Sequence, residues 1–260
     1  MITRDILKWR ELLGILVSRN LKIRYKNSAL GFFWSLLSPL FLIVIYAVFA
    51  RILKFNAGNP DYLQFLIVGI VVWQFLVMCL NDSLGAIIGN ANLIKRTSFP
   101  RIMLPLSMVL SNLVNFLLTL AVLIVYLLLV GMPMSSLLLF PLILMTHCAL
   151  CLGLSLIISV VNVFYRDIEH VLGVATLGWF FLTPIFYPVY SQVDRLPQHL
   201  QWIAFLNPMT GLVCGYRTVF MSSDVPAILS MGVSALVSWV VLILGIMVFE
   251  RAQASFADQM

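Results

Sequence analysis

Long apolar runs separated by short polar breaks dominate the chain, and their lengths predict membrane-spanning helices. Runs at Phe32–Leu53, Phe65–Leu84, Met103–Val130, Leu137–Phe164, Val171–Tyr187 and Ile228–Phe249 each approach or exceed the roughly 20 residues that carry a helix across a bilayer. The fifth run is read as broken, because Pro184 and Pro188 remove helix hydrogen bonds near its end. Leu200–Met221 is also apolar, but Asn207-Pro208 cuts it and the remainder carries Arg217. The piece after the break is too short to cross, and the stretch is read as a re-entrant or interfacial hairpin on the outer side, where irregular backbone is tolerated under a protein cover. The expected fold is therefore all-α and integral to the membrane: six spans, a hairpin between the fifth and sixth, and an N-terminal amphipathic helix.

That helix is read from residues 4 to 26, where Arg4, Lys8, Arg10, Arg19, Lys22, Arg24 and Lys26 alternate with Ile6, Trp9, Leu13, Leu16 and Leu21 at helical spacing. A helix lying in the membrane interface and an ordinary positive flank of the first span both fit this pattern. No repeat or linker interrupts the chain, so residues 1–260 are read as one transmembrane domain. It comprises an interfacial segment 1–31, a six-span core 32–249 and a tail 250–260.

Composition sharpens the class. With 62% apolar and 10% charged residues the chain departs from soluble domains, which run at about 45–50% and about 25%. The net charge of +6 would point to nucleic acid in a soluble protein, but seven of the sixteen Lys and Arg lie in the first 26 residues. Across the six-span arrangement twelve Lys and Arg fall on the side of the termini and four on the other, so both termini are expected in the cytoplasm. The first apolar run lacks a small-residue cleavage site, so the N-terminus is expected to be retained. Cys79, Cys148, Cys151 and Cys214 lie in apolar runs and read as packing residues without a disulfide.

Candidate chemistry is sparse. No Gly-Lys pair occurs, so a Walker-type phosphate loop is absent. Of ten acidic residues only Asp82 lies near a span, which argues against a carrier built on mid-membrane carboxylates. His147, His170 and His199 are far apart and pair with no acidic motif. No catalytic, cofactor or metal site is expected. Gly85–Gly89 and Gly211–Gly215 have the spacing that permits close helix approach. Aromatics make up 12% of the chain and gather at span ends, including Phe33, Trp34, Tyr46, Trp73, Trp179, Phe180, Phe181, Phe186 and Tyr187. Interfacial anchoring explains many of them. The excess around the fifth span also suits sliding contact with the C–H faces of sugar rings.

Five segments carry a resemblance. They are Arg19-Asn-Leu-Lys-Ile-Arg-Tyr25-Lys-Asn-Ser28-Ala-Leu30-Gly31-Phe-Phe-Trp34; Leu93-Ile-Lys95-Arg96 with Phe99-Pro100-Arg101 and Leu104-Pro105; and Asn162-Val-Phe164-Tyr165-Arg166-Asp167-Ile168. The others are Pro184-Ile-Phe186-Tyr187-Pro188 with Asn207-Pro208 and Tyr216-Arg217, and the tail Phe249-Glu250 with Phe256-Ala257-Asp258. In this order the chain resembles the transmembrane subunits of ABC-2 type transporters, and within them exporters of lipid-linked O-antigen, capsule and teichoic-acid polymers.

The resemblance implies a bacterial inner-membrane subunit paired with a second copy of itself and with two copies of a separate ABC ATPase. ATP and Mg would then bind on that ATPase, and this chain would not be an enzyme. It implies a channel lined by Phe33, Trp34, Tyr46, Phe180, Phe181, Phe186 and Tyr187, and an ATPase-docking loop at Asn92, Leu93, Lys95, Arg96, Phe99, Pro100 and Arg101. Arg19, Lys22, Arg24 and Lys26 would attract the pyrophosphate of an undecaprenyl-linked polymer, since phosphate oxygens accept charge-assisted hydrogen bonds; solvated positive flanks are the alternative for these basic residues. A drug or lipid permease of the same family and a membrane-bound enzyme of glycolipid assembly are the other readings. Membrane lipid is an expected partner and nucleic acid is not.

Overall fold

The computed structural model describes residues 9–25, 61–134, 136–165, 167–189, 201–221 and 228–256, with positions 33, 34, 37, 40, 41, 44, 45 and 48. Every regular element among them is helical. In chain order these are α1 (Arg10–Tyr25), α2 (Tyr62–Leu84), α3 (Ala91–Arg96), α4 (Met103–Val130), α5 (Phe140–Phe164), α6 (Ile168–Leu182), α7 (Gln201–Leu206), α8 (Pro208–Met221) and α9 (Ile228–Ala252). Short 3-10 turns precede α3 and α5 and follow α9.

Four stretches are long and apolar enough to cross a membrane: Tyr62–Leu84, Met103–Val130, Leu137–Phe164 and Ser230–Ser255. At 1.5 Å per residue the 23 residues of α2 reach about 35 Å, enough for a hydrocarbon core of about 30 Å. Most of the expected span at 32–53 lies outside the described residues; the eight positions seen there are helical.

α2 is the central helix, with 78% of its most apolar stretch buried against 28% for α4, 39% for α5 and 22% for α9. It packs against α4, α5 and α8, while α9 lies along α5 and α8. Two glycines set the α5–α9 distance. A Cβ on Gly153 would come within 2.6 Å of the Leu242 backbone nitrogen, and one on Gly245 would strike Gly153 in return. This is the close backbone approach that small residues allow where lipid and side chain are equally apolar. Ser230, Ser234 and Ser238 extend the stripe at four-residue spacing and are buried, and Gly211 N–H of α8 donates to Ser234 Oγ at 3.1 Å.

Of the two glycine pairs whose spacing permits close helix approach, Gly211 meets backbone, and Gly215 is closely covered by the side chains of Ile143 and Met231. Gly85 and Gly89 have no such neighbours: nothing lies within 4 Å of a Cβ at either, because both fall beyond the end of α2. α4 ends on Gly131, whose φ of +82° is left-handed, and Gly131 and Met132 N–H close back onto Leu128 and Leu127.

The fifth apolar run is broken, as its prolines predict. α6 has only 15 residues, about 22 Å, and stops where Thr183 turns extended before Pro184. Leu172 is its one buried residue, whereas Val171, Val174, Leu177, Phe181 and Leu182 are exposed. The N-terminal helix departs from a simple two-faced pattern. Leu16 is buried, but Ile15 and Ile23 are 65% and 61% exposed, and polar residues of α1 turn toward α2 and α4.

Candidate functional site

Alternation of the long helices gives the bundle two chemically different ends. The basic end gathers α1, α3, the last turns of α2, α5 and α9 and the first turn of α4. The aromatic end gathers the start of α2, the end of α6 and α8.

At the basic end, a cleft of about 450 Å³ runs between α1, α2 and α4, lined by Arg19, Asn20, Ile23, Arg24, Asp82, Gly85, Gly89, Asn90, Met108 and Ser111. Arg24 forms an ion pair with Asp82 and donates to Asn112 Oδ1 at 2.7 Å. Asn112 Nδ2 donates in turn to Asp82 Oδ2 at 2.7 Å and to Met78 O at 3.3 Å. Arg19 Nη2 donates to Asn90 Oδ1 at 2.7 Å, and Asn20 Nδ2 to Ser107 Oγ at 3.1 Å. These charge-assisted bonds fasten α1 to the bundle.

Of the residues expected to attract a pyrophosphate, Arg19 and Arg24 are thus half-buried in bonds to α2, α4 and the turn before α3. Lys22 is exposed, and Lys26 lies outside the described residues. Arg19 Nε and Arg24 Nη1 are buried without a hydrogen-bond partner among the described residues. The Arg24–Asp82 pair is not among the sequence expectations, although a lone carboxylate at a span end invites a cationic partner; the Asn112 bridge has no local sequence signal.

The expected docking loop forms α3 and the turn that follows. Asn92, Lys95 and Arg96 are exposed, while Leu93, Phe99, Pro100 and Arg101 are half-buried. Arg101 does not point outward with the other two cations. Its guanidinium donates to the Gln253 carbonyl in the turn after α9.

At the aromatic end, Trp73 meets Trp179 edge-on at 5.7 Å and Phe180 at 5.6 Å between centroids. Phe180 continues to Phe181 and Phe186 at 5.5 and 5.2 Å. Tyr187 donates to Phe181 O at 2.7 Å, and Tyr62 to Phe186 O at 3.0 Å. The expected channel aromatics therefore divide. Phe180, Phe186 and Tyr187 are half-buried in this cluster, whereas Phe33, Trp34 and Phe181 are 66%, 42% and 60% exposed. Tyr46 lies outside the described residues.

Asn207 and Arg217 hold the break after α6. Asn207 Oδ1 accepts from Met209 N at 3.0 Å, capping α8 with Pro208 in its first turn, and from Trp179 Nε1 at 2.8 Å. The Asn-Pro pair is a helix start as much as an interruption. Arg217 is fully buried. It donates to Phe65 O at 3.1 and 3.2 Å, to Pro184 O at 2.7 Å and to Ile185 O at 2.8 Å, and its guanidinium lies 3.2 Å from the centre of the Phe65 ring. Gly69 leaves the room this requires, since a Cβ there would sit 2.8 Å from Nη2. The guanidinium fork thus serves the Pro184 and Ile185 carbonyls, which the proline break leaves outside any helix, and ties them to Phe65 O of α2.

No group of three or more His, Cys, Asp or Glu among the described residues is placed to hold a metal. Buried His147 faces Tyr216 OH at 3.4 Å and the rings of Phe75 and Phe116. It is a packed polar residue of the bundle core.

The described helices define a multi-pass membrane bundle with one basic end and one aromatic end. Residues 11–221 match the ABC-2 type transporter family, and the chain belongs to that family. It is 32% identical, over 95% of its length and 94% of the relative's, to an O-antigen export system permease protein RfbA of Klebsiella pneumoniae. It is 31% identical to a protein of the same name from Myxococcus xanthus, over 99% and 98% of the two chains. Similarity to the polysialic acid transport protein KpsM of Escherichia coli is 23% over 90% and 91%.

Proposed function

We propose that this chain is the transmembrane subunit of an ATP-driven exporter that moves a lipid-linked polysaccharide across a bacterial inner membrane. The observation that carries the reading is the full-length likeness to permeases named for O-antigen export. A multi-pass bundle without a Walker-type loop agrees with it, the ATPase with its ATP and Mg then being a separate subunit in two copies. In this reading residues 1–260 form one domain that works with a second copy of itself. Six spans place both termini in the cytoplasm, α8 re-enters from the outer side, and α1 rests at the cytoplasmic interface.

The basic end then faces the ATPase. Lys95 and Arg96 on α3 offer it charge, and Arg19, Lys22, Arg24 and Lys26 attract the pyrophosphate of the lipid carrier. Arg19 and Arg24, held by Asn90, Asp82 and Asn112, also fix α1 in place, while Lys22 offers free charge. Phe33, Trp34, Tyr46, Phe180, Phe181, Phe186 and Tyr187 line the polymer's path, a flat apolar face being suited to sugars passing in succession.

Reconstitution tests this. Proteoliposomes containing the chain and its ATPase should sequester lipid-linked polymer only with ATP and Mg, and the chain alone should leave a lipid-linked sugar chemically unchanged. ATP-dependent movement of a lipid or drug with no movement of polymer would shift the assignment within the family. Turnover of the sugar by the chain alone would make it an enzyme of glycolipid assembly.

A further inference from the structure

The turn after α9 ends in Phe256, which is as deeply buried as any residue of the membrane core, although the turn lies at the basic end. Phe256 meets Phe249 edge-on at 5.5 Å. Around them is a hydrophobic cluster separate from the main core, to which α1 contributes Leu16, α3 Ile94, α4 Met103 and Leu104, and α5 Leu156 and Val160. Phe256 thus belongs to a cluster that joins α1, α3, α4, α5 and α9 at the basic end. Arg101 makes the second fastening, its guanidinium bound to the Gln253 carbonyl across the loop that follows α3.

The Arg101–Gln253 bond joins the α3 loop directly to the turn after α9, and the Phe256 cluster ties both to α4 and α5. From α9 the path continues into α5 through the Gly153–Gly245 apposition, where backbones touch and cannot slide independently. We propose that residues 253–256 form a clasp that transmits movement of the α3 loop to α9 and α5, with Arg101 as its positioning residue. This rests on the reading of α3 as the ATPase-facing element. It assigns Arg101 a different task from Lys95 and Arg96: those two are exposed toward a partner, while Arg101 turns inward and holds the tail.

The test uses the full chain with its ATPase in inside-out vesicles, with a cysteine at Ser255 and the four native cysteines replaced. Arg101→Met keeps the apolar stem and removes the donors. Phe256→Ala releases the tail without touching the loop. Both should raise labelling of the introduced thiol by an impermeant maleimide about tenfold, as a locally opened segment would. Both should also lower polymer exported per ATP hydrolysed by about fivefold, with the ATPase still co-purifying. Phe256→Leu should restore much of the loss.

Faster labelling with unchanged export per ATP would overturn the transmitting role. Unchanged labelling together with loss of the ATPase from Arg101→Met would overturn the clasp and return Arg101 to the docking surface. The Lys95→Glu/Arg96→Glu double variant is the contrast, expected to detach the ATPase without exposing Ser255Cys. If the parent complex exports no polymer, the proposed substrate is wrong, and the clasp is then judged by labelling and by the ratio of coupled to uncoupled ATP hydrolysis.

Discussion

α2 and α9 have nearly the same length, 23 and 25 residues, and both are apolar throughout, yet 78% of one core stretch is buried and 22% of the other. In a soluble protein that much apolar surface would be driven inward. A bilayer removes the distinction, because lipid tails satisfy Leu244 or Ile243 as well as a neighbouring helix does. Burial is decided by where other helices can reach. α2 is surrounded because α4, α5 and α8 each fit against it, whereas α9 is buried along one stripe of serines and a glycine that ends on Phe249. Its large residues Leu236, Trp239, Val240, Ile243, Leu244 and Met247 stay outward. From Ser230 to Gly245 the inward side of α9 is thus its small side, the reverse of a soluble amphipathic helix.

The largest expected effect attacks that stripe. Gly153→Val should push α5 and α9 apart and cost about 3 kcal/mol or more, seen as loss of folded protein or a much lower Tm in detergent. Leu244→Ala, on the outward side of the same helix, should change stability by no more than about 0.5 kcal/mol. Equal losses at both positions would erase the contrast between small-inward and large-outward faces.

Next in size is Arg217→Met. It leaves the buried carbonyls of Pro184 and Ile185 without the donor that serves them, at about 1–3 kcal/mol each before relaxation, and removes their tie to Phe65 O of α2. Thermal unfolding should show a destabilisation second only to that of Gly153→Val. Because one ammonium cannot span three acceptors, Arg217→Lys should recover little. An unchanged Tm would make the arginine a bystander.

Smaller effects concern the expected channel aromatics, where burial again separates similar residues. Trp34, Phe181 and Tyr187 changed together to Leu keep their bulk and lose the flat face. Stacking on an aromatic is worth on the order of 1–3 kcal/mol for nucleobases, and a sugar should gain less. The triple variant should fold and assemble normally while exporting polymer more slowly. Unaltered export would reduce these residues to membrane anchors.

What the sequence displayed was length and hydropathy, and these located α2, α4, α5 and α9 within a few residues, together with the break at Pro184. It displayed none of the burial difference between α2 and α9, because hydropathy measures escape from water and both lipid and protein provide that. Gly85–Gly89 and Gly211–Gly215 had identical spacing, but only Gly211 meets a backbone, so spacing alone cannot name the packed face. At the site, Lys95 and Arg96 were legible as an exposed cationic turn. Arg101, five residues on, was grouped with them and turns out to hold Gln253, a partner 152 residues away that no local pattern announces. Arg24 and Asp82 were both noticed, one as a basic flank and one as a lone acid, and their pairing through Asn112 required the fold.

The central claim is that polymer passes the exposed aromatics of the α6 region while the outward face of α9 does not line its path. Photo-crosslinking measures this directly in the complete complex with ATPase, using a photoreactive residue at Phe181 in one preparation and at Leu244 in another, with a radiolabelled lipid-linked polymer. The account predicts polymer adducts at 181 that require ATP hydrolysis and none at 244. Polymer adducts of equal yield at both positions, or at 244 alone, would contradict it.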